Sequence, residues 1–244
     1  VNSSYLAERL ERLRRAQNAD GGWSYYPGKR DSWLEPTAYA AFALAGEPEA
    51  DRAWNLLKDW QQPSGGWRPA AIVPGANWTT ALAVLLAQSR DAAAAERGAE
   101  WLRNVAHQRG WAWRSGNPAA AEPSALAIVA LARAASQTRR VEKLVEAGSR
   151  FLLTADMSPE TCGPVLVGLQ GTSEAKALAR VALGWAQETA SPLTRAWIAL
   201  GLKLNGVPVE DPGGAVPHNV AIVALEALAA QDGKHECLRM EVAA

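Results

Sequence analysis

Apolar positions along this chain alternate between two kinds of run. In the first kind, alanine and leucine leave almost no polar face: Tyr39, Phe42 and Leu44; Leu82, Val84, Leu85 and Leu86; Leu126, Ile128, Val129 and Leu131. A helix that is apolar nearly all round is buried on most sides, so these runs predict inner helices. The second kind covers residues 48–61, 91–105 and 137–154, where charges gather on one helical face and leucines and Trp on the other. These predict amphipathic outer helices. The alternation continues. Ser158-Pro159-Glu160-Thr161 opens an inner helix through Leu169, and residues 174–188 form the next outer one. Ser191-Pro192-Leu193-Thr194 and Val216-Pro217-His218-Asn219 open two more inner helices, ending at Leu204 and Ala230. With an opening helix over residues 3–17, about eleven helices and no strand are expected.

The joints repeat. Asp20-Gly21-Gly22-Trp23, Ser64-Gly65-Gly66-Trp67 and Arg109-Gly110-Trp111 place Trp23, Trp67 and Trp111 at intervals of 44 residues. A fixed period of this length marks a repeated supersecondary unit. Each Trp precedes a turn-rich stretch and then a helix start: Leu34-Glu35-Pro36-Thr37, Asn77-Trp78-Thr79-Thr80 and Ala121-Glu122-Pro123-Ser124. Proline is at home in a first helical turn, and Asn77, Thr79 and Ser124 are candidate caps. A large ring at a hairpin corner buries ~150–250 Å², which makes these Trp packing anchors. Alternating hairpins either stack as an open superhelix or close into a ring. Wholly apolar inner helices favour closure, so the expected architecture is an all-α, α/α toroid of five to six helical hairpins around a central cavity. No flexible linker interrupts the pattern, and residues 1–244 are read as a single domain.

Composition narrows the function classes. The chain has 25 basic and 25 acidic residues, a balance that lacks the basic stripe of a nucleic-acid binder. Apolar runs such as 125–132 are too short to span a bilayer, and no basic-then-apolar leader opens the sequence. Cys162 and Cys237 make no disulfide framework, so the expected location is cytoplasmic. Of the aromatic residues eleven are Trp, against four Tyr and two Phe, and nine of those Trp lie between Trp23 and Trp113. The first half therefore uses indoles repeatedly.

Gln17-Asn18-Ala19-Asp20-Gly21-Gly22-Trp23 and Gln61-Gln62-Pro63-Ser64-Gly65-Gly66-Trp67 both read Gln-x-x-x-Gly-x-Trp. This resembles the QW motif of squalene–hopene and oxidosqualene cyclases and the wider prenyltransferase and squalene oxidase repeat. The third copy departs, with Val105 in place of Gln and Arg109 in place of the first Gly. The resemblance implies a terpenoid cyclase-like toroid in which these Gln and Trp residues tie outer helices together. It also implies an apolar, isoprenoid-like ligand in the central cavity. Class II cyclases of that family protonate an alkene with an Asp-x-Asp-Asp acid, but the eight Asp here never lie within three positions of one another. Neither that motif nor an Asp-Asp-x-x-Asp magnesium site is present.

The remaining candidates stand at inner-helix starts. Glu35, Glu122 and Glu160 are the candidate catalytic acids, and Trp33, Tyr39, Trp78, Trp113, Arg195 and His218 the candidate ligand-binding residues. Converging on one rim, such a cluster raises one Glu pKa enough to make it a general acid. Equally, Glu at an N-terminus complements the helix dipole, worth ~0.3–1 kcal/mol. Protein prenyltransferase β subunits, which share the toroid, place zinc ligands as Asp-x-Cys and a later His, and Glu160-Thr161-Cys162 with His218 resembles that set. Glu replaces Asp, and a lone Cys at a helix start also reads as a small buried residue. No metal or cofactor is assigned. The leading reading is a terpenoid-cyclase- or prenyltransferase-like protein that binds, and as an enzyme converts, an isoprenoid-like apolar small molecule. Two alternatives stand beside it: a noncatalytic toroid that binds a ligand or protein partner, and a carbohydrate-active toroid with Glu35 and Glu122 separated by about 5–10 Å.

Overall fold

The computed structural model describes residues 3–107, 110–134, 136–210, 214–231 and 237–240; Arg109 of the third repeat lies outside them. Among the described residues there are eleven α-helices and no strand, only isolated bridges. Five are amphipathic: α1 (Ser3–Ala16), α3 (Pro48–Leu57), α5 (Ala92–Val105), α7 (Arg139–Leu153) and α9 (Ser173–Glu188). Six are apolar and largely buried: α2 (Leu34–Ala43), α4 (Thr80–Ala87), α6 (Ala121–Ala132), α8 (Pro159–Gly168), α10 (Pro192–Leu204) and α11 (Val220–Ala230).

The inner helices close a ring. Each packs on the next in the order α2, α4, α6, α8, α10, α11, and α11 packs back on α2. The outer helices lie against them: α1 on α11, α3 on α2, α5 on α4, α7 on α6, and α9 on both α8 and α10. Six inner helices thus meet five outer ones. The chain from α10 to α11 contains no helix among its described residues, so among these the outer layer has one helix fewer than the inner. The closest inner contact is α8 on α10, where a Cβ on Gly163 would stand 2.5 Å from the Trp197 carbonyl carbon and one on Gly201 2.7 Å from Leu166 Cβ.

The 44-residue period is a hydrogen-bonded clamp. The backbone N–H groups of Trp23, Trp67 and Trp111 donate to the hydroxyls of Thr37, Thr80 and Ser124, each at 2.9 Å. Their indole N–H groups donate to the carbonyls of Leu13, Leu57 and Leu102 at 2.8, 2.9 and 2.9 Å. Each Trp therefore joins the carbonyl end of one outer helix to the first turn of the following inner helix. The hydroxyl of Ser124, a candidate cap in the sequence, is spent on Trp111 instead; Asn77 accepts from the Thr79 N–H at 3.0 Å. Gln17 Nε2 donates to Gly21 and Glu49 carbonyls (2.8 and 2.9 Å), and Gln61 Nε2 to those of Gly65 and Ala94 (both 2.9 Å). The two Gln thus tie α1 to α3 and α3 to α5. Gly21 is required at its place: its φ is +92°, and a Cβ would stand 2.7 Å from the Arg52 carbonyl oxygen.

The ring is sealed by groups from opposite ends of the chain. Val220 N–H donates to the Tyr25 carbonyl at 2.9 Å, and Gln231 Nε2 to the Ala43 carbonyl at 3.0 Å. Arg9 of α1, wholly buried, pairs with Glu226 of α11 at 2.7 Å, and its guanidinium lies 3.3 Å over the Tyr5 ring.

Two predictions follow from these anchors. Trp67→Phe leaves the buried Leu57 carbonyl without its donor and destabilises by about 1–3 kcal/mol, read as a lower midpoint in urea. Arg9→Met strands the Glu226 carboxylate in the core and costs about 3–5 kcal/mol, whereas the double variant Arg9→Met/Glu226→Leu recovers most of that loss.

Candidate functional site

Two of the Trp clamps fix a pair of carboxyls. Thr37 and Ser124 are held to Trp23 and Trp111, and the residues two positions earlier, Glu35 and Glu122, occupy the first turns of α2 and α6. The Tyr25 hydroxyl donates a short hydrogen bond to Glu35 Oε2. The Tyr39 hydroxyl lies 3.4 Å from Glu122 Oε1. Tyr25 senses the charges of both Glu35 and Glu122, which gathers two carboxyls and two phenols into one cluster.

The cluster stands over the ring axis. Tyr39 is fully buried and reaches from α2 to Glu122 on α6 and, edge-on at 6.0 Å, to Trp197 on α10. These helices are alternate members of the ring, so a side chain touching all three lies between them at its middle. The expectation that Tyr39 lines a hollow is corrected: it occupies the axis, because a large ring projecting inward from a small toroid finds its partners across it. Glu35 lies one turn, ~6 Å, nearer the N-terminal end of α2, and both Glu residues remain half-buried there.

Their environments push the two acids apart. Burial raises the Glu122 pKa first, and the neighbouring Glu35 carboxylate raises it further, to about 8, against the lowering effect of the Tyr39 bond. Burial also raises Glu35, but the bond from Tyr25 favours its ionised form. Glu122 thus keeps its proton at neutral pH and Glu35 is the partner more ready to lose one. Both phenols are pushed upward by burial and by these carboxyls, so they act as donors.

The other sequence candidates are dispersed. Trp33 tilts against Tyr25 with centroids 5.9 Å apart, beside the cluster. His218 is exposed and stacks on Tyr26 at 5.8 Å, on the outside of the same rim. Trp78 and Trp113 meet edge to face at 4.8 Å, and Trp78 borders a separate small cavity of about 30 Å³ with Trp101 and Pro123. Glu160 is exposed and contributes no charge at Glu35 or Glu122. The start of α8 is set by a local capping box between Ser158 and Thr161, not by a Trp clamp, and nothing turns its Glu inward. Arg195 points away from the axis: it donates to the Thr189 carbonyl at 3.0 Å and lines an outer cleft. Among the described residues no three His, Cys, Asp or Glu converge, and burial pushes the Cys162 thiol up to about 12. Tyr25 was missed in the sequence, although its place two residues after the anchored Trp23 ties it to the rim. Trp197 was missed too, having no repeat partner to mark it.

No protein-family model and no curated protein matches the sequence. Solved structures do. A substituted form of the type II terpene cyclase MstE from Scytonema, in complex with merosterolic acid A as product, superposes with a TM-score of 0.63 at 17% identity, over 96% of this chain and 81% of that one. A second MstE variant, in complex with geranylgeranyl dihydroxybenzoate as substrate, gives 0.62 at 16% identity, over 96% and 79%. A protein from Actinoplanes gives 0.57 at 19% identity, over 96% and 82%. At these identities the likeness establishes architecture: the chain is an all-helical toroid of the kind seen in terpene cyclases.

Proposed function

We propose that this protein binds an isoprenoid-like apolar molecule at the N-terminal rim of its inner helices and converts it by proton donation from Glu122. One observation carries the reading: a carboxylic acid that holds its proton at neutral pH sits over the axis of a terpene cyclase-like toroid, beside a second carboxyl that can be charged. The chain has no Asp-x-Asp-Asp acid, and Glu35, Glu122 and the two phenols stand as its proton-holding group. MstE, which shares the fold, was captured with a geranylgeranyl-bearing substrate, and that supports the ligand class.

The roles follow from the bonds. Tyr39 donates to Oε1 of Glu122, which leaves Oε2 to carry and give the proton. Glu35, steadied by Tyr25, supplies the negative charge that keeps Glu122 protonated before the reaction and stabilises cationic character afterwards. Trp33 and Tyr25 add aromatic faces, each worth ~0.5–2 kcal/mol toward a cation. Such an acid is distinguished by retention of its proton more than by strength. It is therefore best matched to protonating an oxygen as a C–O bond breaks, with a general-acid contribution of about 10²–10⁴-fold.

Mass spectrometry of the native protein should reveal a co-purifying isoprenoid, and incubation with squalene epoxide and prenyl diphosphates should yield a cyclised or rearranged product. Glu122→Gln is expected to lower turnover at least 100-fold. Its effect on stability has the opposite sign. A carboxyl whose folded pKa lies above its unfolded value costs stability as pH rises from about 4.5 to about 8, since the unfolded chain gives up the proton first. Glu122→Gln should therefore match the parent Tm near pH 4.5 and exceed it increasingly up to pH 8. Retained turnover in that variant would remove Glu122 as the acid, and recovery of an oligosaccharide in place of an isoprenoid would assign the pair to glycoside chemistry.

A further inference from the structure

Side-chain amides join the C-terminal ends of the inner helices, and one of them is spent differently. Gln88 after α4 donates to the Ala130 carbonyl of α6 at 3.0 Å, and Asn205 after α10 to the Leu166 carbonyl of α8 at 2.9 Å. Gln231 after α11 donates to the Ala43 carbonyl of α2 at 3.0 Å. These bonds link the inner helices in pairs: α4 with α6, α10 with α8, α11 with α2. Gln170, after α8, instead engages the chain's own tail. Its Nε2 donates to the Leu238 carbonyl at 2.8 Å, and its Oε1 accepts from the Met240 N–H at 3.1 Å. Arg133, after α6, donates through Nη1 to the Arg239 carbonyl at 2.6 Å and through Nε to Gln88 Oε1 at 3.2 Å. The tail thus bridges α6 and α8 at the end of the ring away from Glu35 and Glu122.

Helix α8 leaves room for this segment. It is 10 residues long against 12 in α6, and a Cβ on its last residue, Gly168, would stand 3.0 Å from the Cα of Ala125, in the first half of α6. The later half of α6 therefore runs on past the end of α8. Leu238, wholly buried and part of the hydrophobic core, is held where α8 stops, and Cys237, Arg239 and Met240 around it are half-buried. The attachment is local: one buried leucine, with its neighbouring backbone groups engaged by Gln170 and Arg133. The inner helices, in contrast, pack on one another along their lengths. A short segment with few buried apolar contacts lies at the low end of the range of opening free energies in a fold. None of the three amide links between inner helices passes through residues 237–240, so release of the segment leaves all three in place.

We propose that residues 237–240 are a detachable strap: they close the far end of the ring and release as a unit while the helices stay folded, baring the Leu238 seat between α6 and α8. The two cysteines read this out in the full chain, since Cys237 belongs to the strap and Cys162 is buried in α8. Treated with a thiol-labelling reagent, Cys237 should react roughly 100-fold faster than Cys162 or more, because only the latter waits for global unfolding. Below the unfolding transition the Cys237 rate should stay flat with urea, as a local opening exposes little surface, while the Cys162 rate climbs. Leu238→Ala should speed Cys237 about tenfold or more with the helical circular dichroism unchanged. Val84→Ala, in α4 against Gly98 of α5, weakens the strapped and the released ring alike. It should therefore speed Cys162 about fivefold or more and leave Cys237 as it was. Matching rates and urea slopes for the two cysteines, an unchanged Cys237 rate in Leu238→Ala, or joint acceleration of both in Val84→Ala would overturn the proposal.

Discussion

The clamp on each anchoring Trp is the constraint from which the site descends. An outer helix ends in carbonyls with no intrahelical partner, and an inner helix begins with equally unsatisfied N–H groups. The indole reaches the carbonyl end of one while its backbone N–H engages a hydroxyl in the first turn of the other. Two helices that share only a hairpin corner are thereby fixed in rotation as well as position. Rotation matters most for the residue two places before the hydroxyl, which is Glu35 in the first repeat, Trp78 in the second and Glu122 in the third. The clamp makes the slot and the sequence fills it differently each time. Glu160 shows the converse: Cys162 stands where a hydroxyl would engage a Trp, no clamp forms, and the carboxylate stays at the surface.

Closure imposes a different economy. A ring of apolar helices must bring α2 and α11 together from opposite ends of the chain, and beside that seam Arg9 of α1 pairs with Glu226 of α11, 217 positions away. A charged pair in a core adds little net stability against apolar residues of the same size, because desolvation offsets its attraction. Its effect is on register: α11 can slide or rotate against α1 only by leaving two charges unpaired. Among the described residues, six inner and five outer helices also leave a cleft beside α10. The same arrangement that seals the ring therefore creates the cleft at Arg195.

Much of this was legible along the chain, for identifiable reasons. Burial on all sides erases helical amphipathicity, so inner and outer helices could be told apart by pattern, and their number and alternation match the structure. The repeat of Trp23, Trp67 and Trp111 located the anchors because each occurrence does the same work. What periodicity does not encode is azimuth about the toroid. Glu35, Glu122 and Glu160 occupy similar places in their helices, yet only the first two share an environment. Arg195 lies at an inner-helix start but faces outward, because no helix between α10 and α11 among the described residues covers that side of α10. Tyr39 was legible as an inner residue; its contact with Trp197 depends on Gly163 admitting α10 close to α8, a relation between residues 34 apart with no local signature.

The pairing of acids explains how such a fold could hold a proton without an aspartate-rich motif. A single carboxyl in the first turn of a helix faces the positive end of the dipole, which favours ionisation. Burial opposes this and is the largest cause of the rise at Glu122, and the Glu35 carboxyl on α2 adds to it. The two acids come from repeats on α2 and α6, alternate members of the ring, with the middle repeat contributing Trp78 instead of a third carboxyl. A third acid in that slot would add repulsion to a rim that has Tyr25 and Tyr39 to engage two carboxyls. Tyr39, wedged on the axis, then serves both ends of the arrangement: its ring packs α2 against α10, and its hydroxyl orients the acid on α6. Packing of the centre and positioning of the proton are one constraint, and a change that loosens either loosens both.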